Sequence, residues 1–307
     1  MSGLPRRTRT AARCGVPQAA GPDAEPVQVL ESFERAGHED PAAAWHAFTR
    51  TWNWAAPLPA AVPGDDGAAG LVARPVAGGF SLSGQWRVPT RGVPRRWLAL
   101  PLTDVREAGG QAAADDPDLF VVSTKVLPRP SGQHHGGDRA RAPGPEYRLD
   151  GVYVPAGFAT RSRGGALRAD AAAFHWTAVT AMALGVARRL TDTLTAPAPL
   201  AAAGLTALLR DERASLATAL REVSNATRDG APDTVEKLAA QVGRTARAVH
   251  HVVAAAYEGV PTAVVRDGRH PLTCLIDSGT PILQHVRYAV DLHRPDDSAV
   301  QEEGRPW

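Results

Sequence analysis

The sequence predicts an α+β chain in three parts: a short N-terminal helical segment, a small β-barrel or sandwich, and a C-terminal four-helix bundle. Three observations carry that prediction. Phe80, Leu82, Trp86 and Val88 alternate with Ser81, Ser83, Gln85 and Arg87, the period of two of a strand with one dry face. From Asp170 onward apolar residues recur at spacings of three and four, the mark of helices packed on one another. Pieces rich in Pro and Gly, with no apolar period, separate these regimes.

In chain order, residues 1–26 carry Arg6, Arg7, Arg9 and Arg13 among Thr, Ala, Gly and Pro and have no apolar face, so they read as a disordered tail in preference to a targeting peptide. Residues 27–60 form the helical lead. Val29, Leu30 and Phe33 mark one short helix, and Trp45, Phe48 and Trp52 a second that starts at Pro41 with Asp40 as its cap. The β region spans residues 61–160. Its strands are the Gly78–Val88 stretch, Trp97–Leu100, Leu119–Leu127 and Tyr147–Pro155, with Gly84 interrupting the apolar face of the first and Pro89 ending it. Pro128–Pro145 is a long loop that holds His134 and His135. Adjacent histidines with no acidic or Cys partner at ligand spacing point away from a metal, and no metal site is expected.

Residues 165–293 form the bundle. Its stripes are Val179, Met182, Val186, Leu190 and Leu194, then Leu205, Leu209, Leu216, Leu220 and Val223, then Val235, Leu238, Val242, Thr245, Val249, Val252 and Ala256. Pro197-Ala-Pro199 and Asp229–Pro232 are short enough to make successive helices antiparallel. A fourth helical stretch, Pro271–Leu292, is expected to break or kink at Ser278–Pro281, with Thr280 capping a restart. Residues 294–307 are a polar tail.

Composition bounds the function. The chain of 307 residues has a formal net charge of +2, so no polyanion surface and no nucleic-acid partner are expected. Two cysteines, Cys14 and Cys274, exclude a disulfide framework and a CxxC metal site, which fits a reducing cytoplasm. No run reaches the roughly 18 apolar residues of a membrane span, and no secretory signal opens the chain.

Four segments carry a likeness to a known family. Gly78-Gly-Phe-Ser-Leu-Ser-Gly-Gln-Trp86, followed by Thr90 and Trp97, resembles the flavin-contacting strand of the acyl-CoA dehydrogenase superfamily, and more closely its flavin-dependent monooxygenase branch. Asp150–Pro155 resembles the strand that closes the superfamily's β-domain, and Ala181-Met-Ala-Leu-Gly-Val-Ala187 its helix of small residues entering the bundle. Pro271–Asp277 with Gln284-His285 resembles the C-terminal helix of the monooxygenase branch. The likeness covers about residues 70–290.

The resemblance implies a flavin, FAD or FMN, with Thr90 holding the ring, Trp86 and Trp97 as dry walls beside it, and His285 at the flavin edge as the catalytic group that steadies a peroxide or acts as an acid. It further implies a small organic or acyl substrate, a flavin reductase as supplier of reduced flavin, and a homodimer or homotetramer. The Val235–Ala256 stripe with Leu283 and Val286 has more apolar length than one neighbour would cover. Departures from the pattern are equally plain. The helical lead is short, Ile276 stands where an Arg precedes the Asp, and no Arg-x-x-Phe-Gly segment lies between Pro199 and Arg228. Tyr257-Glu258-Gly259 spells the tripeptide of a dehydrogenase base but comes before Pro271–Asp277, the wrong order. These departures support a second class of function, a cofactor-free homologue that is a non-redox enzyme or a non-catalytic partner subunit.

Overall fold

The computed structural model describes residues 21–63, 72–88, 96–102, 106–107, 110–111, 116–128, 146–194, 199–229, 233–258 and 270–293. Two helices lead, α1 (Pro26–Glu39) and α2 (Pro41–Thr51). As the sequence predicts, Pro41 opens α2, and the Asp40 carboxylate accepts from the Ala43 N–H at 3.0 Å. The strands follow: β1 (Trp52–Asn53), β2 (Val62–Pro63), β3 (Val72–Val76), β4 (Gly79–Arg87), β5 (Trp97–Pro101), β6 (Arg106–Glu107), β7 (Gly110–Gln111), β8 (Leu119–Ser123), β9 (Glu146–Pro155), β10 (Ala159–Thr160) and β11 (Gly165–Ala166).

Long strand β4 pairs antiparallel with β2, β3 and β9, and β8 pairs antiparallel with β5 and β10. The two sheets touch through a bridge at Ala60 and Ala99 and through an edge-to-face contact of Phe80 with Phe120 at 5.1 Å, a small sandwich. Of the four apolar positions predicted to face inward, Leu82, Trp86 and Val88 are buried and Phe80 is half-buried. The register slips between Leu82 and Gly84, a bulge at the glycine that interrupts the apolar face.

Four further helices lie among the described residues: α3 (Ala172–Leu194), α4 (Pro199–Asp229), α5 (Asp233–Glu258) and α6 (Pro271–Val286). Central helix α3 is buried nearly all round and packs on α1, α4, α5 and α6, so the lead helix joins the bundle as a fifth member instead of standing apart. Gly185 makes that contact. A Cβ there would lie 2.1 Å from the Glu34 carbonyl oxygen, and one at Gly37 would lie 2.3 Å from that of Met182, so α1 and α3 cross backbone to backbone. Glu34, buried at the crossing, receives Arg188 of α3 at 2.6 Å and Arg213 of α4 at 2.5 Å.

Two bundle expectations need correction. Helix α6 runs through Pro281 without a break, and the Thr280 hydroxyl donates back to the Ile276 carbonyl instead of capping a new start. It ends at Val286, and a turn and a single 3-10 turn, Asp291–His293, replace the predicted helix to Leu292. The second correction concerns assembly. Leu238, Val242, Thr245, Val249, Val252, Ala256, Leu283 and Val286 are buried within one chain and Val235 alone of the stripe is exposed, so most of the apolar face offered as the reason for a sister subunit is already covered.

Candidate functional site

The three parts of the fold meet at His285. After β9 a 3-10 turn, Ala156–Phe158, crosses α6 so closely that a Cβ on Gly157 would sit 2.3 Å from the Pro281 carbonyl oxygen. Gln284 of α6 fixes the crossing, accepting from the Gly157 N–H at 3.0 Å and donating to the Gly78 carbonyl at 3.1 Å. His285, wholly buried, lies next to it with Nδ1 2.7 Å from the Gly157 carbonyl oxygen. Its Nε2 is 2.9 Å from Nε2 of His175 in α3, and Nδ1 of His175 is 2.9 Å from Nε2 of His293 in the last turn.

One carbonyl fixes every proton in this chain. A carbonyl only accepts, so His285 carries its proton on Nδ1, and the neutral ring accepts at Nε2. His175 therefore donates from Nε2, which leaves its Nδ1 to accept from Nε2–H of His293. The rings are neutral for a physical reason. Burial, partly offset by the bond to Gly157, holds His285 down at about 3, and burial holds His293 down at about 4. His175 lies well below its usual value through burial and then through its two histidine neighbours.

Aromatic rings enclose the chain. Trp54 lies edge-on to His285 at 4.4 Å and parallel to His175 at 5.9 Å, and Trp45 and Phe158 approach His285 at 5.1 and 5.7 Å. Phe48 stacks on His175 at 6.1 Å. The nitrogens bond one to the next and do not converge on a point, and among the described residues no group of three or more His, Cys, Asp or Glu side chains is placed to hold a metal ion.

The sequence-derived site separates in space. Trp97 stacks on Phe158 at 5.2 Å, so it belongs to the His285 cluster, and its indole N–H donates to Asp291, which also pairs with Arg96. Trp86 sits near the other end of β4, seven residues from Gly79. At about 3.3 Å per residue, some 20 Å of strand lies between it and the Gly78–Gln284 contact. Thr90, His134, His135 and Gly259 lie outside the described residues. Glu258 is exposed at the end of α5.

A flavin fits these two places differently. Around His285 the rings of the described residues are in contact and His285 has no free N–H, although the indole Nε1–H of Trp54 in that cage is, like that of Trp86, buried with no hydrogen-bond partner among the described residues. At Trp86 the indole Nε1–H is buried with no hydrogen-bond partner among the described residues, a donor of the kind that a flavin carbonyl or ring nitrogen would satisfy. A well-formed pocket of about 110 Å³ lies elsewhere, between the starts of α1 and α3, well short of the roughly 300–1,000 Å³ of a ligand site.

No protein-family profile and no curated protein sequence matches the chain. Solved structures that it resembles include XiaF from Streptomyces sp. in complex with FADH2 and glycerol, at 15% identity over 90% of this chain and 82% of that one, with a TM-score of 0.42. Others are the HsaA monooxygenase from M. tuberculosis, at 12% identity over 92% and 84% with a TM-score of 0.37, and an acyl-CoA dehydrogenase from Geobacillus kaustophilus, at 12% over 80% and 67% with 0.33. No helix among the described residues is long and apolar enough to cross a membrane.

Proposed function

We propose that this chain is a flavin-dependent oxidoreductase whose flavin ring lies at the Trp86 end of β4. The observation that carries the reading is the unpartnered, buried indole N–H of Trp86, within the strand whose sequence resembles a flavin-contacting strand. Leaving such a donor dry costs about 1–3 kcal/mol, which a ring acceptor would recover. A bound flavin supplies two-electron redox chemistry, with or without oxygen. Trp86 donates to the ring and Thr90 follows it as a second donor, while Trp97 and His285 are structural supports at the distant junction. The finer reading is a monooxygenase or an acyl-CoA dehydrogenase-like enzyme acting on a small organic or acyl substrate, drawing reduced flavin from a reductase in the first case and assembled as a homodimer or homotetramer.

The closed cage around His285 favours a second reading, a cofactor-free homologue that is a non-redox enzyme or a partner subunit. Equilibrium dialysis of the full chain against FAD and FMN, each oxidised and reduced, separates the two. Retention of either flavin, with its absorbance band at about 450 nm when oxidised, supports the first reading. Retention of neither supports the second.

A further inference from the structure

We propose that His175, His285 and His293 form an acid-operated lock that holds the segment after α6 against α3. The geometry limits what the chain can accept. Its three hydrogen bonds, His293 to His175, His175 to His285 and His285 to the Gly157 carbonyl, use one proton each and leave a single vacant nitrogen, Nδ1 of His293. One added proton enters there from solution. It can rest on any of the three rings, moving by transfer across each bond, with no bond lost. A second added proton has no vacant nitrogen. It sets two N–H groups against each other across 2.9 Å, and a link must part.

The links join α6 to α3 and α3 to the last turn. Beyond them the segment Arg287–His293 is tied to α3 by the Trp176 indole N–H on the Ala289 carbonyl at 2.9 Å, and to β5 by Asp291. Parting the histidines removes one set of ties from the segment, leaving these bonds, the packing of Tyr288 on Trp97 and Phe158, and buried Ala289 and Leu292 to hold it, and loosens the aromatic cage.

The titratable and charged side chains on the elements packed against the chain are these. From α2 come Trp45 and Phe48, with His46 and Arg50 of that helix exposed. From α3 come Phe174 and Trp176 beside His175. The Ala156–Phe158 turn offers a carbonyl and a phenyl ring. On α6, Asp277 is exposed, and α5 turns His250 to the Ala246 and Leu283 carbonyls. In the last segment Arg287 lies over the Tyr288 ring, and Asp291 is already paired with Arg96.

The sign follows from the lowered values. The folded rings stay neutral while the unfolded chain binds protons below its ordinary histidine value of about 6.5. Stability is therefore whole above about pH 6.5 and falls as pH drops toward the folded values of about 4 and 3. Three such groups raise the unfolding equilibrium constant by up to about a thousandfold per pH unit in that window.

The test uses the full chain. Nitrogen-15 imidazole spectra at pH 7.5 should show the proton on Nδ1 of His285 and on Nε2 of His175 and His293. Denaturant unfolding from pH 7.5 to 5 should steepen as stated, and amide protection in Arg287–His293, taken relative to the intrinsic exchange rate at each pH, should fall at pH 5 before global unfolding. His293→Gln, which can still donate to His175, should lower the slope by one proton, about tenfold per pH unit, while exposed His251→Gln leaves it unchanged. A proton on Nε2 of His285, stability flat over that range, or amide protection equal at the two pH values overturns the lock. If His293→Gln does not fold, the spectra and the pH slope of the parent chain decide.

Discussion

Trp86 and His285 show how burial alone decides what a polar ring can do. Both are closed off from solvent, but His285 has each nitrogen engaged whereas the Trp86 N–H has no partner among the described residues. Trp86→Phe removes a stranded donor while keeping most of the packing. It should therefore leave the stability of the flavin-free protein within about 1 kcal/mol of the parent, as read by denaturant midpoint. His285→Ala is the opposite case. It strands the Gly157 carbonyl and the His175 N–H and empties part of the cage, so a loss of about 3 kcal/mol is expected at neutral pH. His285→Gln should recover a substantial part, because an amide can still donate to one neighbour and accept from the other.

Among the elements, the α1–α3 crossing is the joint on which the lead helices depend. Gly185→Ala places a methyl group against the Glu34 backbone with no flexible side chain to yield. A cost of about 3 kcal/mol or more is expected, with the loss of protection in amide exchange greatest in α1 and α2. Gly243→Ala, where no backbone lies near, is the control and should be neutral or slightly stabilising. The sequence carried much of this level. The period of two in β4, the Asp40 cap and the Pro- and Gly-bounded gaps between helices are local signals, and local physics settles them. The continuation of α6 through Pro281 was not legible, since a proline's lost hydrogen bond is tolerated where tertiary packing holds the helix, as against the Gly157 turn. The site was less legible still. His285 drew attention only through the likeness to a family helix, and His175, His293 and Trp54 gave no sign at all. His175 lies 110 residues from His285 in sequence, and nothing in Phe174-His175-Trp176 marks it as more than the start of an apolar helix.

At the scale of the whole molecule, a helical lead, a β-sandwich and a helical bundle converge on one closed polar chain, while the proposed flavin position lies a strand's length away at Trp86. This arrangement separates two properties that one site would have merged. The two proposals assign acid sensitivity to the histidine junction and cofactor affinity to the strand end. The most direct test is a flavin titration of the parent, Trp86→Phe and His293→Gln proteins at pH 7.5, followed by quenching of flavin fluorescence with oxidised FAD and FMN and repeated anaerobically with the reduced forms. The account predicts saturable binding of at least one of these to the parent, weakened about tenfold by Trp86→Phe and unchanged by His293→Gln. Absence of binding by every form, or binding that Trp86→Phe leaves intact, would contradict it.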